Sequence, residues 1–202
     1  DINLSTDWGN NPTGSSRAAG GIALADNDEL GTSVSLSLSD DGSARLAVGI
    51  RYGDGYDDSS NNEGEVLLFT FTDGSSKDFA GGSLAAVIGE DYDGTDASYA
   101  GRSKDRTVSL FKNDAFGTWV SLDYDPVLQT HRLAVIAKGG DGSGNDNDYN
   151  YGEVYLFTFT DDDFGGGDHV GTIGSGYTGS KDFNLDVGED SSFALTGMSL
   201  YG

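Results

Sequence analysis

The chain has 202 residues, 36% of them apolar, which is enough to bury a sizeable core and argues against a disordered chain. Its 34 Asp and Glu against 11 Lys and Arg give a formal net charge of -23, so nucleic acid and anionic membrane surfaces are excluded as partners. Cysteine is absent, which excludes disulfides, zinc-thiolate sites and thiol catalysis.

With 32 glycines, 2 prolines, ten Phe, ten Tyr and two Trp, the composition describes many short strands joined by tight turns. Glycine supplies the positive φ that turns require, and aromatic side chains fill sheet faces. No apolar run of about 18 residues is present, and the opening "DINLSTDWGN" lacks the basic and apolar regions of a signal peptide. A soluble chain, either mature or a fragment, is expected.

In chain order, alternating apolar patterns predict strands over residues 32–39, 44–51, 65–72 and 83–89, a short strand over 106–112, then 118–123, 132–137, 153–160 and 169–174. Short strands are also predicted over 183–186 and 193–200. In "EVLLFTFT" the period of two sends Leu67, Phe69 and Phe71 to one face and Val66, Leu68, Thr70 and Thr72 to the other. Apolar residues on both faces predict a strand sandwiched between sheets.

The set is a repeat. "GEVLLFTFTD" (64–73) recurs as "GEVYLFTFTD" (152–161), differing only where Leu67 becomes Tyr155. Upstream, "TSVSL" and "RLAVG" recur in the same order as "TWVSL" and "RLAVI". Downstream, Phe79, Ile88, Gly89 and Tyr92 return as Phe164, Ile173, Gly174 and Tyr177 at one constant displacement. "DSSFALTGMSL" (190–200) begins a third copy, and "DINL" matches "DFNL" (182–185). The expectation is a window on a longer tandem array: the tail of one unit over 1–28, a unit over 29–114, a second over 115–190 and the start of another over 191–202.

The succession "LGTSVSL" or "FGTWVSL", "RLAV", a Gly and Asp loop, then "GEVYLFTF" resembles the FG-GAP repeat of integrin-α-like β-propellers, over residues 30–72 and 116–160. The glycine-rich continuation "FAGGSLAAVIG" resembles the tandem arrays of large bacterial surface adhesins of filamentous-haemagglutinin-like type. The resemblance implies an all-β fold of antiparallel four-stranded meanders packed like propeller blades, with a β-sandwich or filament-forming β repeat as the alternative. The family's DxDxDG calcium loop does not carry over. Asp41 and Gly42 fit it, but Ser37, Ser39 and Arg45 stand where ligands belong, and "DYDPVLQTHRLAV" lacks even the Asp-Gly pair.

Acid-rich loops lie one connection later. Asp54, Asp57, Asp58 and Glu63 in the first, with Asp141, Asn145, Asp146 and Asp148 in the second, offer oxygen-only ligands on flexible backbone, the chemistry Ca²⁺ prefers. Ca²⁺ is the candidate cofactor; a solvated, solubilising hairpin loop is the other reading.

No GxSxG or HExxH motif is present, and His131 and His169 read as surface or turn histidines. Trp8, Trp119, Tyr52, Tyr56, Tyr92, Tyr99, Tyr149 and Tyr151 are candidates for stacking on sugar rings or, more simply, for covering strand ends. Asn3-Leu4-Ser5 fits the N-glycosylation sequon.

These readings converge on a non-enzymatic structural and adhesive repeat of an extracellular or cell-surface bacterial protein. The alternative is a glycan-binding or glycan-hydrolysing propeller. Its expected partners are neighbouring repeats or identical protomers head to tail, with surface glycans or proteins as adhesion targets and no membrane insertion. Contact is expected between residues 2–5 or 21–25 and the strand 193–200 of the next unit.

Overall fold

The computed structural model describes residues 24, 27–55, 61–71, 79, 82–92, 104–143 and 150–185. The predicted strand 193–200 and the contacts expected of residues 2–5 and 21–25 lie outside this set, apart from Leu24. Among the described residues there are ten strands and no helix. The fold is all-β.

The first sheet runs β1 (Leu30–Leu38), β2 (Ala44–Ile50), β3 (Glu65–Phe71) and β4 (Gly82–Gly89) as an antiparallel meander. The second repeats it with β6 (Phe116–Asp125), β7 (Thr130–Ala137), β8 (Glu153–Phe159) and β9 (Asp168–Gly174). Each sheet has a fifth member that the meander pattern did not predict: β5 (Arg106–Thr107) pairs parallel with β4, and β10 (Phe183–Asn184) parallel with β9. The predicted segments 106–112 and 183–186 thus contribute two paired residues each. Each pairs only with the last two residues of its neighbour, Ile88 and Gly89 or Ile173 and Gly174, so the chain need fold back only a short way and no full crossover is required.

The duplication extends to register. Leu46 faces Phe69 and Ala44 faces Phe71, as Leu133 faces Phe157 and His131 faces Phe159. Both sheets shift register at the same places, between Leu30 and Ser33 or Phe116 and Trp119, and again at Leu68/Phe69 or Leu156/Phe157. The lead-in to each first strand is also the same backbone. Asn27, Glu29 and Gly31 have positive φ, and so do Asn113, Ala115 and Gly117.

The two sheets pack with unlike faces together. Ala47, Val66, Leu68, Ala86 and Ile88 of the first sheet meet Leu122, Leu133, Val135, Tyr155, Phe157 and Phe159 of the second in one core. The other face of the first sheet carries Val48, Ile50, Leu67, Phe69 and Phe71 in a separate cluster, so β3 has apolar residues on both faces as its pattern predicted. Burial of one large apolar side chain contributes about 1.5–3 kcal/mol, and Phe116, Phe157, Phe159 and Phe164 are each fully buried.

Equivalent residues of the two units have opposite fates. Val34, Leu36, Leu38 and Phe79 are exposed in the first unit. Their repeat partners Leu122 and Phe164 are buried in the inter-sheet core, with Val120 packed against it. On the opposite face the asymmetry reverses. Val108 is buried while its counterpart Leu185 is 41% exposed. Arg45 is buried and donates from Nε to the Asp162 carbonyl across the interface, while its counterpart Arg132 is exposed and pairs with Asp125 at 2.9 Å. Lys104 reaches Asp163 of the second unit, and its counterpart Lys181 is exposed.

Candidate functional site

The chemistry of this molecule concentrates at the seam between the units. The end of the β2–β3 connection runs alongside the lead-in to β6: Asn113 N donates to Asn61 O at 2.8 Å, Phe116 N to Glu63 O at 2.8 Å, and Gly64 forms a parallel bridge with Phe116. Three glycines make this approach sterically open. A Cβ at Gly49 would lie 1.9 Å from the Gly117 carbonyl oxygen, one at Gly64 2.0 Å from that of Phe116, and one at Gly117 2.5 Å from that of Glu65. Two of these glycines belong to the repeated "GEV" and "FGT" segments, so part of the repeat's glycine signature is a packing requirement of this seam.

Around the seam stand carboxylates that are almost entirely buried: Glu63, Glu65, Asp114, Asp141 and Glu153. Glu65 and Glu153 open the equivalent strands β3 and β8. Each nests on a glycine, since a Cβ at Gly53 or Gly140 would collide with the Glu65 or Glu153 side chain. Tyr92 donates its hydroxyl to Glu65, and Tyr177 donates to Glu153 at 2.9 Å. Glu153 also accepts from the Tyr155 hydroxyl and the Gly142 N–H, both at 2.7 Å. Burial, followed by the charge of Glu153, pushes both Tyr155 and Tyr177 well above the ordinary phenol range. These two glutamates are framework acceptors, each engaged by hydrogen-bond donors.

Asp114 and Glu63 are not saturated. Asp114 Oδ2 accepts from Phe111 N at 2.7 Å, but its Oδ1 has no hydrogen-bond partner, and neither has Glu63 Oε2. Burial, then the carboxylates of Glu153, Asp141 and Glu63, raise Asp114 to about 7. Burial, then Asp54 and Glu90, raise Glu63 to about 7. Buried carboxylates in this state hold a proton or need a cation.

Of the sequence-predicted ligands, the structure places Asp54, Glu63 and Asp141; Asp57, Asp58, Asn145, Asp146 and Asp148 lie outside the described residues. Asp54 staples its own loop by accepting from Asn62 N at 2.9 Å, and its charge acts on Glu63. The charge of Asp141 acts instead on Asp114, helping to raise it. Among the described residues no three His, Asp or Glu side chains converge closely enough to hold one metal ion between them. Sequence reasoning missed Asp114, Glu65 and Glu153. The available signal was that each acid recurs at the same place in both units, Asp28 matching Asp114.

His131 corrects the surface or turn assignment. It is completely buried, between the rings of Tyr124 at 4.9 Å and Phe164 at 5.5 Å, and neither nitrogen has a hydrogen-bond partner. Its strand-initial position concealed that Tyr124 and Phe164 close over that strand end. His169 is exposed and bonds Thr172 through Nε2 at 3.0 Å. Beside it, Asp168, Lys181 and Asp182 line an open groove of about 430 Å³. Asp182 spends both oxygens on backbone amides, of Thr172 at 2.8 Å and Gly179 at 2.9 Å. Of the aromatic candidates, Tyr92 is buried on Glu65, Tyr52 lies under the Arg51 guanidinium at 4.1 Å, and Trp119 and Tyr151 are partly open. Trp8, Tyr56, Tyr99 and Tyr149 lie outside the described residues.

The chain matches no protein-family model and no curated protein sequence.

Proposed function

We propose that this chain is a stacking module, a non-enzymatic structural and adhesive repeat of an extracellular bacterial surface or fibre-forming protein, built on FG-GAP-like blades. One observation carries the reading: the residues that dock the second unit onto the first, Val120, Leu122 and Phe164, have counterparts Val34, Leu36 and Phe79 exposed on the first unit. The same holds at the other end, where Leu185 stands open in the place of buried Val108. A unit with one complementary face of each kind stacks head to tail, and such heterologous contacts either close a ring or run on as a filament. A propeller needs about four to eight blades, so two blades call for further copies, from the same chain or from others.

These acids support a framework role, since buried Glu65 and Glu153 and half-buried Asp182 spend their oxygens on tyrosines and backbone amides. A glycan hydrolase would instead aim two free carboxyls across a cleft.

Sedimentation velocity over a wide concentration range, at physiological salt where screening acts beyond about 8 Å, tests the reading. The expected result is a mass that grows with concentration for the wild type and stays monomeric for Leu36→Asp on one face and Leu185→Asp on the other. A wild type that remains monomeric throughout overturns it.

A further inference from the structure

We propose that the seam between the two units is a divalent-cation site, in which the carboxylates of Asp114 and Glu63 ligate one hard cation of the calcium class. Glu63 stands just before β3 of the first unit and Asp114 just before β6 of the second, so the ion joins the two. The main-chain bond from Phe116 N to Glu63 O holds these two segments side by side.

Three features argue for a cation. Both side chains are more than nine-tenths buried, Asp114 at 1% and Glu63 at 5% exposure, and each keeps one oxygen without a partner. The charged groups acting most strongly on Asp114 are Glu153, Asp141 and Glu63, all of them acids. The oxygens that are bonded accept from donors that favour the ionised form, as Asp114 Oδ2 does from Phe111 N. Glu153 beside them already accepts from two tyrosine hydroxyls and an amide, so its oxygens are engaged and offer no donor to the free oxygens of Asp114 and Glu63.

Donors that are all oxygen select a hard ion, and two carboxylates neutralise its charge. No third acid among the described residues is placed to share the ion, so water and main-chain or amide oxygens complete its shell. This differs from the loop site expected from sequence in its centre, which moves from the loop tips to Asp114. It depends on the seam within one chain and not on assembly of further copies, so it fails or stands separately from the stacking function.

The test is thermal unfolding of the whole chain at pH 7.5, in chelator and then in calcium chloride, with sodium chloride at matched ionic strength as the control. Asp114→Asn and Glu63→Gln remove one ligand each at constant shape, and exposed Asp123→Asn controls for net charge. Saturating calcium is expected to raise Tm by about 5–10 °C in the wild type and Asp123→Asn. Both seam variants should lose most of that rise, and titration calorimetry should show one fewer bound ion in each. If one variant does not fold, the other reads the site. An unchanged calcium response in the folded seam variants overturns the proposal, because the ion then sits on the outer loops. So does a wild type indifferent to calcium, in which case protons hold the seam.

Discussion

Gly49 and Gly117 meet backbone to backbone across the two units, so closely that a methyl group at Gly49 would stand 1.9 Å from the Gly117 carbonyl oxygen. Their contact sets how near β6 approaches β1 and β2, and hence whether Ser33 Oγ reaches Gly117 O at 3.0 Å and Leu122 N reaches Ser35 Oγ at 2.9 Å.

A matched pair of substitutions isolates that contact. Gly31 and Gly117 occupy the same repeat position with the same φ of 83°, but a Cβ at Gly31 meets nothing within 4 Å. Gly31→Ala should cost only the left-handed backbone term, about 1 kcal/mol. Gly117→Ala carries that term plus the seam collision, and should cost about 2 kcal/mol more. Urea unfolding of the two variants measures the difference; equal losses would mean the seam is not tight.

Removing the Tyr177 hydroxyl tests the caged glutamate. Tyr177→Phe should destabilise by about 1–3 kcal/mol, the range for leaving a buried polar group short of a partner, because Glu153 Oε1 loses one of its two donors. Tyr155→Phe, which restores the apolar character of Leu67 in the first unit, strips Oε2 of the Tyr155 bond. The double variant should lose more than the sum of the singles, as both donors serve one carboxylate. Strict additivity would mean that they act independently.

The buried histidine makes a pH-dependent contribution. Burial, then the positive charge of Arg45, lowers the folded pKa of His131 below its ordinary 6.5, although Asp162 at 3.6 Å opposes this. The unfolded chain therefore binds the proton more tightly, and stability present above pH 6.5 is lost as the pH falls through that value. His131→Phe fills the same slot between Tyr124 and Phe164, removes two unsatisfied nitrogens, and should gain about 1 kcal/mol while flattening the acid limb. A larger loss on acidification in the variant than in the wild type would contradict this.

Asp114 and Glu63 act in the opposite sense. In chelator, their folded values of about 7 lie above their ordinary 3.8 and 4.5, so the native state holds protons that the unfolded chain has released. The stability they contribute is complete below about pH 4 and is lost as pH rises through about 7. Denaturant midpoints between pH 4 and 8 should therefore fall less steeply with pH in Asp114→Asn than in the wild type. Identical slopes would show that Asp114 keeps an ordinary pKa.

Strand positions were legible because alternation and duplication agreed. The 65–72 pattern placed Leu67 and Val66 on opposite faces, and both faces are buried. Short strands at 106–112 and 183–186 were legible, but their parallel pairing and their limit of two paired residues each, Arg106–Thr107 and Phe183–Asn184, were not, since so short a pairing carries no alternation. The candidate site was half legible. Glu63 and Asp141 announced themselves by sitting in acid-rich loops, whereas Asp114 sits in "NDAFG", where an acid before a strand looks like ordinary turn chemistry. What distinguishes it is the neighbouring unit folding over it, a long-range event with no local trace. His131 reads as a surface residue for a related reason: the Tyr124 and Phe164 rings that enclose it come from other parts of its own unit.

The glycine at the tight contact has no repeat: where the first unit has Gly49 in "RLAVG", the second has Ile136 in "RLAVI". A partner docking on the second unit would therefore face, where β6 meets bare backbone, a position filled by a branched side chain that is itself buried. A stack assembled from this chain would alternate a narrow spacing with a wide one, so that the crystallographic period along its axis is two blades and not one. Under tension the wide joints should part first, letting such a fibre lengthen in two-blade steps while each narrow joint stays closed.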